Sequence, residues 1–298
     1  MFPDYIEPVF RPPSEGRSVI FQVTNGCSWN QCTFCDMYTQ PQKKFRARSE
    51  DEVLSEIRKA TALGPRFEKV FLADGDALVL PTRRLINILT AIRTQLPWVK
   101  RVGSYCLPRN IRKKSVAELQ QLRELGLGIA YVGAESGDDQ VLQAIRKGET
   151  YNSTLDALIK LKEAGITSSV MVLNGMGGRI LSEQHAINSA RLMNEARPEF
   201  LSTLIVSFPL GQARVEEGYR ELGLDYELPD QRELFTELRQ FIGTLELQET
   251  VFRSDHASNY LPLKGTLGAD KARLLKQLDM AINSPERIAL RQEWQRGL

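Results

Sequence analysis

Three of the four cysteines in this chain fall within the stretch TNGCSWNQCTFCDMY, residues 24–38. Cys27, Cys32 and Cys35 have the spacing C-x4-C-x2-C, which lets three thiolates on one loop converge on a single centre. Thiolates are soft donors that suit zinc or iron–sulfur clusters. A structural zinc site is usually closed by four protein ligands. The remaining candidates here, Cys106, His185 and His256, are all remote in sequence. A [4Fe-4S] cube normally takes four cysteines. With three, one iron keeps an open position for a small molecule, and that would account for the number.

Such a loop needs a scaffold. From Arg17 onward, short β-branched or apolar runs alternate with amphipathic stretches of helical period. Strands are predicted at 18–24, 69–73, 101–106, 128–134, 166–173 and 200–208. Helices are predicted between them, over 49–64, 81–97, 115–126, 152–165 and 182–196. The first helix opens on Ser49 with Glu52 three residues on, a capping-box pair, and closes at Gly64. This alternation predicts an α/β fold with parallel strands and helices outside, either doubly wound or a full or partial barrel. After about Pro209 the rhythm fails. A helix is expected around 230–246, a strand-like run at 247–254 and a Gly/Pro loop near 262–268. The expected organisation is an N-terminal arm (1–16), a core (17–210) and a C-terminal α/β extension (211–298) placed to cap a substrate.

The chemically unusual residues sit where predicted strands end. Cys27 follows the first strand, Asp74-Gly75-Asp76 the second, and Cys106 closes the third. Glu135-Ser136 follow the fourth and Asn174-Gly175 the fifth. In parallel barrels and open α/β sheets, sites form at the carboxyl ends of the strands.

Over about residues 17–210 these features resemble the radical S-adenosylmethionine (radical SAM) superfamily, in its coproporphyrinogen oxidase-like and methylthiotransferase-like branch. The usual cysteine spacing there is C-x3-C-x2-C, so this chain carries one extra residue. The resemblance implies a partial (β/α)6 TIM-like barrel. It implies that Cys27, Cys32 and Cys35 hold one [4Fe-4S] cluster whose open iron chelates S-adenosylmethionine (SAM). Phe34, between the last two cysteines, matches the aromatic that packs on the adenine. Asp74, Gly75 and Asp76 match a Gly-Gly-Glu-like motif that takes the SAM amino group, with aspartate in place of glutamate. Glu135 and Ser136 match residues facing the methionine moiety, and Arg146 or Lys147 its carboxylate. Asn174 and Gly175 match the strand end near the adenine. The implied activity is reductive cleavage of SAM to a 5′-deoxyadenosyl radical, which takes hydrogen from a small-molecule substrate in an oxidoreductase-type reaction. A reductant such as flavodoxin or ferredoxin is implied as partner.

Blander readings stand beside these. The alternatives are Asp74-Gly75-Asp76 as a turn with solvated acids, Glu135 as the buried partner of an arginine, Arg146 and Lys147 as a solvated helix end, and 174–178 as a flexible turn. Cys106 reads as a hydrogen donor or methyl acceptor, or as a small buried hydrophobe, the commoner fate of an unmodified cysteine. Arg109, in the same loop, reads as an anchor for a substrate anion. His256 and Asn259 read as a substrate lid or proton relay, or as loop-capping residues, while His185 is expected on a helix surface. A zinc-stabilised scaffold or a cluster carrier is the non-catalytic alternative for the whole chain. Methylthio transfer usually requires a second cluster, for which only one cysteine remains.

Composition narrows the partners. Charged residues make up 26% and the net charge is +2, so charge alone indicates neither nucleic acid nor membrane as partner. The Pro-rich start lacks a basic, apolar and small-residue leader, and the cysteines cluster as ligands do in reducing compartments. The expectation is a cytoplasmic protein, with its oligomeric state open.

Overall fold

The computed structural model describes residues 4–296; the first three positions of the predicted arm and the last two of the extension lie outside the described residues. In chain order the elements are β1 (Val19–Gln22), β2 (Thr24–Asn25), β3 (Arg46–Ala47), α1 (Glu50–Ala60), β4 (Lys69–Ala73), α2 (Thr82–Gln95), β5 (Arg101–Cys106), α3 (Pro108–Arg112), α4 (Val116–Glu124) and β6 (Leu127–Glu135). There follow α5 (Asp139–Ala144), α6 (Tyr151–Glu163), β7 (Thr167–Asn174), α7 (Ser182–Ala196), β8 (Phe200–Ile205), α8 (Ala213–Arg220), α9 (Gln231–Thr244), β9 (Val251–Ser254), β10 (Leu263–Thr266) and α10 (Leu267–Asn283). They fall into two compact units. The first comprises the chain up to Asn30 with Met37–Val132 and Asp156–Ser168; the second comprises Gln31–Asp36, Gly133–Leu155 and the chain from Ser169.

In the first unit β1, β4, β5 and β6 run parallel in that order, with Val19 opposite Val70 and Val70 opposite Val102. Parallel strands flanked by helices are buried on both faces and read as near-continuous apolar runs. β4 is such a run, with Val70, Phe71, Leu72 and Ala73 all buried. The apolar stripe of α2 (Leu85, Ile88, Leu89 and Ile92) is buried too. The capping boxes that start α1 (Ser49 and Glu52) and α4 (Ser115 and Glu118) satisfy otherwise unpaired backbone N–H groups. The predicted first strand is interrupted: β1 ends at Gln22, and Thr24–Asn25 turn away to pair antiparallel with Arg46–Ala47. That small ribbon forms the neck of the cysteine-bearing loop.

In the second unit β7 and β8 run parallel, with Val170 opposite Leu201, and β9 continues parallel to β8. β10 then pairs antiparallel with β9, Leu263 opposite Ser254. The Gly/Pro loop expected near 262–268 is therefore a strand running into a helix. Its Gly265 accommodates Asp270, which a Cβ would meet at 2.6 Å. Helix α9 packs against α7 and α10. Short helices α3, α5 and α8 were not expected from the sequence; α5 is started by the Asp138 side chain, which accepts from the N–H groups of Gln140 and Val141.

Candidate active site

At the end of β4 two acids are fully buried. Asp74 Oδ2 accepts from the Lys43 ammonium at 2.7 Å, the Gly26 N–H at 2.9 Å and Gln22 Nε2 at 2.9 Å. The Asp74 N–H donates to Thr24 Oγ1 at 3.1 Å, so the carboxylate and backbone of one residue fasten the neck of the cysteine loop. Asp76 Oδ2 accepts from the Ser28 hydroxyl and from Asn110 Nδ2 at 2.6 Å, and Oδ1 accepts from the Leu107 N–H at 3.3 Å. Burial pushes its carboxyl up from 3.8 to about 6, against the hydrogen bonds of Ser28 and Leu107 and the charge of Arg109. Gly75 between them lies against Tyr38; a Cβ there would come within 2.6 Å of the ring. These are not the solvated acids of an exposed turn.

The loop itself begins in the first unit, with Cys27 through Asn30, and continues in the second with Gln31–Asp36. Cys27, Cys32 and Cys35 are each half-buried. The Arg109 guanidinium stacks 3.9 Å from the centre of the Trp29 ring, and Asn30, with φ 45°, donates through Nδ2 to Tyr38 O at 3.0 Å. Within the second unit the Thr33 N–H donates to Ile145 O at 3.0 Å, and Arg214 donates to Cys35 O at 3.0 Å. Phe34 packs against the core cluster that includes Val141, Leu142 and Tyr219, with the Lys147 ammonium 5.9 Å from its ring centre. Among the described residues, no three His, Cys, Asp or Glu side chains are gathered as ligands of a single metal ion.

At the end of β6, Glu135 is buried with φ 63°. A non-glycine residue in this left-handed region costs of the order of 1 kcal/mol or more and persists where its surroundings impose it. Oε1 accepts from Lys147 at 2.8 Å; Oε2 is buried with no hydrogen-bond partner. The approach requires a glycine two residues earlier, because a Cβ on Gly133 would lie 2.1 Å from Oε1. The partner of Glu135 is thus a buried lysine rather than an arginine. Arg146, also in the left-handed region at φ 50°, is partly exposed and pairs with Glu221 at 2.5 Å.

Ser136 leads to a residue that the sequence placed wrongly. His185 is 2% exposed, not on the surface. Its Nδ1 accepts from the Ser136 hydroxyl at 2.7 Å when Nε2 carries the proton and donates to Leu173 O at 3.0 Å. Ser136 Oγ also accepts from the Asp138 N–H at 2.9 Å. Glu237 of α9 lies 3.7 Å from His185 Nε2 and accepts from the Gly175 N–H and the Ser182 hydroxyl, both at 2.6 Å. Burial raises the Glu237 carboxyl, against the charge of His185 and these hydrogen bonds. Asn174 donates through Nδ2 to Leu234 O at 3.1 Å, so the end of β7 is fastened to α9 at two points. The signal for His185 was present: it shares the stripe 185, 189, 192 and 196 with buried Ser189, Leu192 and Ala196.

Cys106 is 2% exposed. Alternation along β5 places it on the face opposite Tyr105, whose ring meets Phe71 at 5.0 Å and Tyr131 at 6.2 Å. His256 accepts at Nδ1 from the Ser258 N–H at 3.1 Å and lies 3.0 Å from the Ser258 hydroxyl; burial and the nearby Arg291 lower its pKa. Asn259 bridges Ile205 N–H and Thr203 O, both at 3.0 Å. His256 caps its own loop, whereas Asn259 fastens that loop to the end of β8.

The donor types suit the expected group: three thiols on one loop for a soft-metal cluster, and an unpartnered buried carboxylate oxygen for a cationic ligand group. The model of the Radical SAM superfamily matches residues 21–193, more than half of the chain, and the chain belongs to that superfamily. Its members bind a [4Fe-4S] cluster and SAM. One relative is a protein of Methanocaldococcus jannaschii provisionally named a methylthiotransferase, 24% identical over 155 residues, covering 51% of this chain and 34% of the relative. Another is the hopanoid C-3 methylase of Methylococcus capsulatus, also 24% identical over 155 residues, covering 51% and 28%. The radical SAM methyltransferase TsrM of Kitasatospora setae, solved with cobalamin and a [4Fe-4S] cluster, has the same fold at TM-score 0.54 and 18% identity, over 68% of this chain and 39% of that one. The chain spans about a third of the length of these relatives. Among the described residues, no helix is long and apolar enough to cross a membrane.

Proposed function

We propose that this chain cleaves SAM reductively and directs the resulting radical to a hydrogen on a small-molecule substrate, an oxidoreductase-type reaction. In this reading Cys27, Cys32 and Cys35 hold the cluster, residues 17–210 form the catalytic core and residues 211–298 cap the substrate. A small reductant protein such as flavodoxin or ferredoxin delivers the electron. When bound, the cluster and SAM together supply one-electron chemistry and a carbon radical.

Glu135 carries the proposal. Its ammonium partner, Lys147, engages only one oxygen and leaves Oε2 buried without a donor. A buried acceptor without a donor costs about 1–3 kcal/mol, and a cationic or hydroxyl group of the ligand would offset that cost. Ser136, held by His185 and the Asp138 N–H, fixes the turn behind it. Asn174 and Gly175, fastened to α9, fix the strand end expected near the adenine, and Phe34 stands on its hydrophobic cluster as the expected adenine neighbour. Cys106 has a packing role in this reading.

Methyl transfer is the second reading, favoured by the names of the methylase and methyltransferase relatives. One experiment separates them. Anaerobically reconstituted protein is incubated with dithionite and SAM, and products are identified by mass spectrometry. Reductive cleavage gives 5′-deoxyadenosine and methionine, both lost in Cys32→Ala; methyl transfer gives S-adenosylhomocysteine. A wild type that binds zinc and no iron, and forms neither product, overturns both readings in favour of a scaffold.

A further inference from the structure

Asp76 is the acid best placed by sequence to receive a ligand ammonium, yet both oxygens of its carboxylate already accept from protein donors. It is fully buried; one oxygen receives the Ser28 hydroxyl and the Asn110 amide at 2.6 Å, and the other receives the Leu107 N–H at 3.3 Å. Ser28 directly follows Cys27. Leu107 joins β5 to α3, and Asn110 lies in α3. A second tie runs in parallel: Trp29, next along the loop, lies under the Arg109 guanidinium of α3 at 3.9 Å. A third holds Asn30, which takes a left-handed backbone and donates to Tyr38 O. Three of the four residues between Cys27 and Cys32 are therefore individually fastened within one compact unit.

We infer that Asp76 is a positioning residue that locks the Cys27 side of the loop onto the start of α3, rather than a ligand for SAM; the inference rests on the cluster reading above. The chemistry supports this. A carboxylate accepting three hydrogen bonds, two from side chains reaching it across 48 and 34 residues of sequence, has most of its acceptor capacity directed to protein donors. The stacked guanidinium adds a cation–π contact. Together they fix the direction of the chain immediately after Cys27 and absorb the extra residue of the C-x4-C spacing. The loop's first ligand is then preorganised instead of being ordered by the cluster. Loss of one tie should show as faster release of the cluster, with the affinity for SAM of the chains still loaded left intact.

The test uses the full chain, with Ser28→Ala, Ser28→Thr and Asp76→Asn beside wild type. Cluster loss is followed by visible absorbance after addition of a chelator, and SAM binding to loaded protein by equilibrium dialysis. Loss of one charge-assisted hydrogen bond corresponds to about a tenfold change in rate. Ser28→Ala and Asp76→Asn are expected to release iron about tenfold faster, Ser28→Thr, which keeps the hydroxyl, to behave as wild type, and SAM affinity to stay within about twofold. Asp76→Asn that keeps its cluster and loses SAM affinity tenfold or more overturns the inference in favour of direct ligation. Unchanged release in both Ser28→Ala and Asp76→Asn also overturns it. If wild type takes up no cluster, the cluster reading itself fails, and the tie is read separately on the metal-free chain by limited proteolysis: cleavage at residues 27–31 faster in Ser28→Ala than in Ser28→Thr supports it, and equal cleavage overturns it.

Discussion

Two buried carboxylate–lysine pairs stand at the ends of two strands, and they differ in how many protein donors the acid receives and in the backbone that carries it. Lys43 and Asp74 meet at 2.7 Å, Lys147 and Glu135 at 2.8 Å, and all four side chains are nearly or wholly buried. Asp74 has two further donors, Gln22 and the Gly26 N–H, and both attach the cysteine loop's neck. Glu135 has Lys147 as its one donor and a left-handed backbone, while in both acids the second oxygen is buried without a hydrogen-bond partner. The first pair joins segments of chain. The second holds an acid with a single lysine donor in a backbone conformation that costs energy, the feature that the proposed ligand-facing role of Glu135 draws on.

The comparison breaks if Lys43→Met is tolerated. Removing one partner of a buried pair costs about 3–5 kcal/mol, and urea unfolding of the metal-free chain should show a loss in that range. The next effect is smaller and depends on pH. Burial raises Asp76 from 3.8 in the reference state to about 6 in the folded chain, so the folded state binds this proton more tightly. Its stabilising contribution is complete below about pH 4 and is lost as pH rises through about 6, a fall of about 3 kcal/mol. Unfolding free energies measured across that window should decline in wild type and decline less in Asp76→Asn. Glu135→Gln sharpens the contrast: SAM affinity by equilibrium dialysis should weaken about tenfold, or about 1.4 kcal/mol. The smallest effect belongs to His256→Ala, which removes a local cap at a cost of about 1 kcal/mol or less by the same urea measurement.

Sequence periodicity located the strands because burial on both faces forces apolar runs, as in β4 and β6, and it located the long helices through their apolar stripes. It missed β10, whose Lys264-Gly265 centre carries turn-like residues and is held by pairing with β9, and it missed the short helices, whose few residues give no period to detect. The three thiols were legible because all of them fall on one loop. Asp76 was legible as an acid at a strand end, but its partners Ser28 and Asn110 lie 48 and 34 residues away, and no local pattern encodes such a meeting. His185 failed for a different reason. It was judged as a lone polar residue, although its position on the buried stripe of α7 outweighs its polarity once Ser136 and Leu173 O satisfy both ring nitrogens.

The stacking of Trp29 beneath Arg109 has a practical side. The chain contains three tryptophans: Trp294 is 82% exposed, Trp98 is half-buried with its ring 6.0 Å from Phe67, and Trp29 stands two residues after Cys27. The last is an intrinsic fluorophore inside the loop proposed to hold the cluster. Its emission is expected to respond to iron loading and to any loosening of the loop, while the other two lie outside that loop, so assembly of the proposed centre can be followed optically in the unlabelled protein.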